Sequence, residues 1–221
     1  AAADVNSDSN TEEPPNASNP YGACGGEGEQ PWITVSIKPA RVALNADGTY
    51  KIFERLQNVA MARSARRAVT GDGACIGLTY KANAFIHPET SRSLDFIRDT
   101  VDETRSHDVL EYMTSTSVNQ TNRKPLSAPH ADNSLQGVPS TAFGLGDYSG
   151  GRLRLDGAKA PLHIRDHAVI FDGLKTQSSG LVNGDRWSLV LVVHASWQKG
   201  PAAIAKELRK LGPPCPPTTY D

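Results

Sequence analysis

From residue 31 onward, apolar and polar positions alternate in short bursts. In PWITVSIKP, Ile33, Val35 and Ile37 interleave with Thr34, Ser36 and Lys38, the period-two pattern of a half-buried strand. RVALNADGTYKIF follows as two strand-like runs hinged on Asp47-Gly48, a hairpin turn pair. The period then lengthens. RLQNVAMARSARRAV is predicted helical from about Arg55, with Leu56, Val59 and Ala60 as its apolar stripe. GACIGLTY returns to strand. HPETSRSLDFIRDTVDETR carries the strongest helix signal: Thr90 or Ser91 can cap the free N–H groups, and Leu94, Ile97 and Val101 recur at helical spacing.

From Val109 the pattern is almost entirely strand and turn: DVLEYMTS, STAFGLGD, RLRLDG, PLHIRD, HAVIFDG and RWSLVLVVH. Short strands parted by Gly, Asp and Pro predict a sandwich or jelly roll, not a parallel sheet. With the helices upstream, the class is α+β, mainly β. PAAIAKELRKLG is a short helix, Pro201 suiting its first turn and Gly212 its end. Residues 1–30, rich in Asn, Ser, Glu, Gly and Pro, are expected as a disordered polar tail. Residues 31–212 are expected as a single domain and 213–221 as a Pro-rich tail.

Composition narrows the function. With 221 residues and 38% hydrophobic content the chain can build a core without disulfides or structural metals. Cys24, Cys75 and Cys215 are odd in number and lack zinc-type spacing, so no disulfide framework is expected. Net charge is -1, from 24 acidic and 23 basic residues, so no bulk field draws nucleic acid or a membrane surface. Local basic patches stay open. The Arg63, Arg66, Arg67 cluster is taken as a solvated helix face. No apolar run approaches the ~20 residues of a membrane-spanning helix. The start, AAADVNSDSN, has neither initiator methionine nor a signal-peptide pattern, so the chain is read as processed or recombinant; the compartment is left open, with a soluble, intracellular setting slightly favoured.

Three stretches carry candidate chemistry. In PHADNS, His130 and Asp132 lie two apart, so on an extended strand imidazole and carboxylate point to one side and can occupy adjacent positions on a metal. In GLGDYSGGRLRL, Gly150-Gly151 permits a tight turn or close backbone approach. In GDRWSLVLVV, Arg186, Ser188, Val190 and Val192 share one face, and Trp187, Leu189 and Leu191 the other. An arginine and a serine two apart make a carboxylate clamp, a forked guanidinium beside a hydroxyl donor.

In order and spacing, Pro129 to His194 resembles the iron(II)/2-oxoglutarate-dependent dioxygenase superfamily. His130 and Asp132 match its H-x-D, Asp147-Tyr148-Ser149-Gly150-Gly151 its middle stretch, and Gly184, Arg186 and Ser188 its closing G-x-R-x-S. The resemblance implies a double-stranded β-helix core with supporting N-terminal helices. It further implies Fe(II) held by His130, Asp132 and a distal residue. 2-Oxoglutarate would have its far carboxylate on Arg186 and Ser188. Oxygen would cleave that cosubstrate to succinate and carbon dioxide as a substrate C–H is hydroxylated. Tyr148 and Asn133 are expected to face the pocket.

One position departs from the pattern. The distal histidine should stand six residues after Phe171 and nine before Arg186, and both counts arrive at Gln177. An amide oxygen is a poorer donor than imidazole in a site that holds iron on one face. His163, His167 and His194 do not suit the slot by sequence. Asp132, Arg186 and Ser188 remain, so the expectation is an impaired dioxygenase acting on a protein side chain, nucleobase or small molecule. The alternative is a jelly-roll binding module without turnover. A zinc hydrolase is disfavoured because the chain has no HExxH or Cys/His cluster.

Overall fold

The computed structural model describes residues 37–57, 62–63, 72–77, 79–81, 84–86, 99–104, 107, 112–122, 128–197, 202–210 and 214–217. In chain order the elements are β1 (Ala40–Ala43), α1 (Ala46–Gln57), β2 (Ala62–Arg63), β3 (Asp72–Gly77), β4 (Thr79–Lys81) and β5 (Ala84–Ile86). Residues 99–104 form α2. Then come β6 (Ser115–Asn122), β7 (Ser140–Leu145), β8 (Tyr148–Gly150), β9 (Leu153–Leu155), β10 (His167–Phe171), β11 (Gln177–Ser179), β12 (Val182–Val192) and α3 (Ala202–Lys210).

Alternation along β12 sets up the architecture. This strand lies between β6 and β7 in an antiparallel sheet ordered β1-β10-β7-β12-β6-β3-β2, and its first residues pair with β8. β9 and β11 form a second, two-stranded sheet, with Gln177 opposite Leu155. Trp187, Leu189 and Leu191 turn to one side and pack with Ile52 and Leu56 of α1, Val101 of α2, and Phe143. Val190 turns the other way, against Ala142, Val169 and Phe171 of the large sheet and Leu153 and Leu155 of β9. The helices therefore support one face of the large sheet, and the smaller sheet packs across the other. A third cluster joins Leu135, Val138 and Val193 to Trp197 and to Ala205 and Leu208 of α3.

Several expected elements are corrected. Asp47-Gly48 is not a hairpin turn but part of the first turn of α1. Asn45 caps this helix: its side-chain oxygen accepts from Asp47 N at 3.0 Å, and its carbonyl from Thr49 N at 2.9 Å. Thr49, Ile52 and Leu56, three and four apart, form the buried stripe. The helix expected from about Arg55 thus starts earlier and ends at Gln57, and Arg63 belongs to β2. Val59, Ala60, Arg66, Arg67, Leu94, Ile97, Ile33 and Val35 lie outside the described residues. Of the strand expected over DVLEYMTS, residues 108–111 lie outside the described residues, 112–114 are not strand and Ser115 opens β6, while PLHIRD makes isolated bridges instead of a strand.

Within the segment expected as a C-terminal tail, residues 214–216 are packed. Pro214 O accepts from Met113 N at 2.7 Å, and Pro216 O from the Trp197 indole at 3.1 Å. Cys75 and Cys215 are not in disulfides.

Candidate active site

The site begins with two backbone segments laid antiparallel. His130 and Gln177 exchange main-chain hydrogen bonds, His130 N to Gln177 O at 2.9 Å and Gln177 N to His130 O at 2.7 Å. Asp132 N donates to Gly173 O at 2.8 Å, extending the ladder. Gly173 is required there, because a Cβ would overlap the Ser134 and Ser140 hydroxyls. The pairing brings His130, Asp132 and Gln177 together. Direct partners in an antiparallel pair share a face. Gln177 therefore projects to the same interior as its partner Leu155, and it is 5% exposed.

His130 Nδ1 lies 2.8 Å from the carbonyl of Ala128, which can only accept, so Nδ1 carries the proton. The lone pair of Nε2 is thereby left toward Asp132 Oδ1, 3.7 Å away. This is the tautomer of a metal-ligating histidine, fixed by an outer hydrogen bond. Gln177 Nε2 donates to Asp132 Oδ2. The amide therefore meets the carboxylate with an N–H where an imidazole ligand would present a lone pair. Among the described residues no set of three His, Cys, Asp or Glu side chains converges.

Arg186, Ser188 and Tyr148 form the second half, buried at 1%, 2% and 4% exposure. Arg186 Nε and Nη1, Ser188 Oγ and Tyr148 Oη have no hydrogen-bond partner among the described residues. The guanidinium lies over the Tyr148 ring, 5.6 Å from its centroid. Guanidinium and phenol attract one another electrostatically, but no hydrogen bond of acceptable geometry joins them. Burial pulls the Arg186 pKa down and pushes the Tyr148 phenol up, each disfavouring charge in a dry site. The glycines now have a role. Gly151 has φ 57°, and a Cβ there would stand 3.0 Å from Arg186 Nη1 and 2.8 Å from Val182 Cγ2. A Cβ at Gly144 would overlap the Tyr148 hydroxyl.

Other expected residues lie elsewhere. Asn133 is exposed, and its Nδ2 lies 3.1 Å from His194 Nε2, not in the pocket. His194 comes closer to the H-x-D segment than strand distance suggested, since Ser134 bridges it. Its ring is also engaged by Ser196. His163 is exposed, and His167 opens β10 with Nδ1 2.9 Å from Arg165 O. Sequence spacing did not single out Arg165. It stands over the Tyr148 ring at 6.0 Å and donates to Tyr148 O at 2.6 Å.

No protein-family model matches the chain, and no curated protein does. Solved structures do. NgTET1, solved in complex with 5mC DNA, superposes with a TM-score of 0.51 at 14% identity, covering 79% of this chain and 81% of that one. A Pseudomonas putida prolyl-4-hydroxylase gives 0.49 at 15% identity, covering 72% and 94%. An oxidoreductase of the 2OG-Fe(II) oxygenase family from Burkholderia pseudomallei gives 0.46 at 12%, covering 71% and 87%. The chain has a double-stranded β-helix fold. At these identities the likeness speaks to fold alone.

Proposed function

We propose that the chain is an iron(II)- and 2-oxoglutarate-dependent oxygenase whose metal affinity is reduced by Gln177. The observation that carries this is the buried trio of Arg186, Ser188 and Tyr148, with donors unpaired among the described residues, in the interior that also receives Gln177. A buried guanidinium without a counter-charge calls for an anion. A fork flanked by two hydroxyls suits the far carboxylate of a dicarboxylic acid, and water exclusion strengthens each bond.

His130 and Asp132 fit a divalent cation: an imidazole with its lone pair inward and a carboxylate beside it. Gln177 fits less well. To offer Oε1 it must turn its amide over, which removes the N–H that now satisfies Asp132. When bound, iron would supply oxygen activation and the oxidation of the cosubstrate to succinate and carbon dioxide. The protein's own part is to anchor the cosubstrate through Arg186 and Ser188, hold Asp132 in place, and exclude water. The substrate class is a protein side chain, nucleobase or small molecule.

A second reading has one observation in its favour. The Gln177–Asp132 hydrogen bond closes the site on itself, as in a module that binds a carboxylate ligand without turnover. The deciding experiment compares this chain with Gln177→His, measuring iron(II) affinity, 2-oxoglutarate binding and succinate release. Turnover gained with histidine, alongside at least a ten-fold rise in metal affinity, supports the oxygenase. Binding of 2-oxoglutarate with both forms silent supports the module. If neither form binds metal or 2-oxoglutarate, both readings fail.

A further inference from the structure

A second charged site lies on the outside of the molecule. Arg41, on β1, donates its Nε to His163 O at 3.0 Å. Arg152, just ahead of β9, donates its Nε to His163 Nε2 at 3.1 Å. Each guanidinium is thus held by its inner nitrogen around one histidine, leaving the terminal N–H groups unengaged among the described residues. Among the described residues neither arginine meets a carboxylate, whereas neighbouring Arg165 has Asp147 at 3.8 Å and Asp166 at 3.6 Å. The chain as a whole is balanced at -1, so two anchored, uncompensated arginines around one side chain are a local concentration of positive charge. All three residues are exposed.

We propose that Arg41, Arg152 and His163 form a phosphate-binding site. Guanidinium forks match the oxygen edges of a phosphate, and anchoring through Nε means that little side-chain freedom is lost on binding. Because His163 Nε2 accepts from Arg152, the ring proton is on Nδ1, which provides a third donor. A cation is excluded by the surrounding charge. Arg154 projects from β9 on the same outward side as Arg152, since Leu153 and Leu155 between and beyond them face the core. The positive edge therefore continues past one phosphate. Desolvation, with the charges of Arg152, Arg41 and Arg165, holds the His163 pKa below the ordinary histidine range. A bound phosphate would reverse part of that depression. The ligand class is a phosphate ester, either a free phosphomonoester or a phosphodiester strand. The proposal is independent of the interior site.

The test uses the full chain and follows the His163 ring by NMR while inorganic phosphate, and separately a short single-stranded oligonucleotide, is added at fixed ionic strength. The expected result is an upward shift of the His163 titration with phosphate, and at least a ten-fold loss of affinity in Arg41→Gln and Arg152→Gln. Lys206→Gln, on the exposed side of α3, should leave affinity unchanged. An oligonucleotide that binds at least ten-fold tighter than phosphate, and weakens in Arg154→Gln, identifies the phosphodiester source. Comparable affinity for both probes identifies the monoester. The proposal is overturned if neither probe moves the His163 titration, or if binding survives both arginine substitutions.

Discussion

At the scale of single residues, Arg186 carries a buried charge whose Nε and Nη1 find no hydrogen-bond partner among the described residues. It is almost fully buried. Replacing such a charge by an apolar side chain of similar length should stabilise the ligand-free chain by about 1–3 kcal/mol. Arg186→Met is therefore expected to melt at higher temperature than the parent while losing 2-oxoglutarate binding in calorimetry. A lower melting temperature with binding retained would show that the guanidinium is a structural brace. Its place opposite the core face of β12 was legible, because Arg186 and Ser188 alternate with Trp187 and Leu189. Gln177 was legible by position from two independent counts. Its hydrogen bond to Asp132 was not, since the partner is 45 residues away and amide orientation follows from what it meets.

At the scale of elements, α1 shows how a turn signal can mislead. Asp47-Gly48 has the composition of a hairpin turn, but Asn45 two residues earlier is a strong cap, and Thr49, Ile52 and Leu56 recur at helical spacing. Capping and burial of that stripe outweigh the local turn preference. Asn45→Ala should cost about 1 kcal/mol in urea unfolding. No measurable change would mean that packing alone sets the start of α1. β6 escaped detection for a different reason. Its sequence, STSVNQTN, is polar and carries one apolar residue, Val118, so it has no hydrophobic period to read. It is nevertheless central, paired with β12 on one side and β3 on the other. Its backbone is satisfied by neighbours whose own patterns carry the signal.

Taken whole, the molecule places helices on one face of the large sheet and candidate chemistry on the other. That division was legible because motif spacing on a paired sheet converts directly into position. The basic site was not, since its residues lie 11 and 122 positions from His163 and meet only through folding. The same global packing gives a pH dependence. Burial holds the His194 pKa below 6.5, and the His163 pKa is lowered in the same direction. The folded chain then binds fewer protons than the unfolded one just below pH 6.5, so stability is complete above that value and falls as pH drops toward the depressed pKa. Melting temperature should decline from about pH 6.5 downward, and His194→Asn should flatten part of the decline. A melting temperature that rises on acidification through this range would contradict the assignment.

The reciprocal main-chain pairing of His130 with Gln177 depends on neither side chain. The spacing between positions 130 and 177 is therefore conserved by the backbone whatever residue stands at 177. Glutamine and histidine codons differ only in their third base. A single nucleotide change exchanges an amide for an imidazole without asking the scaffold to adjust, so a closed pocket and a metal-competent one are immediate genetic neighbours.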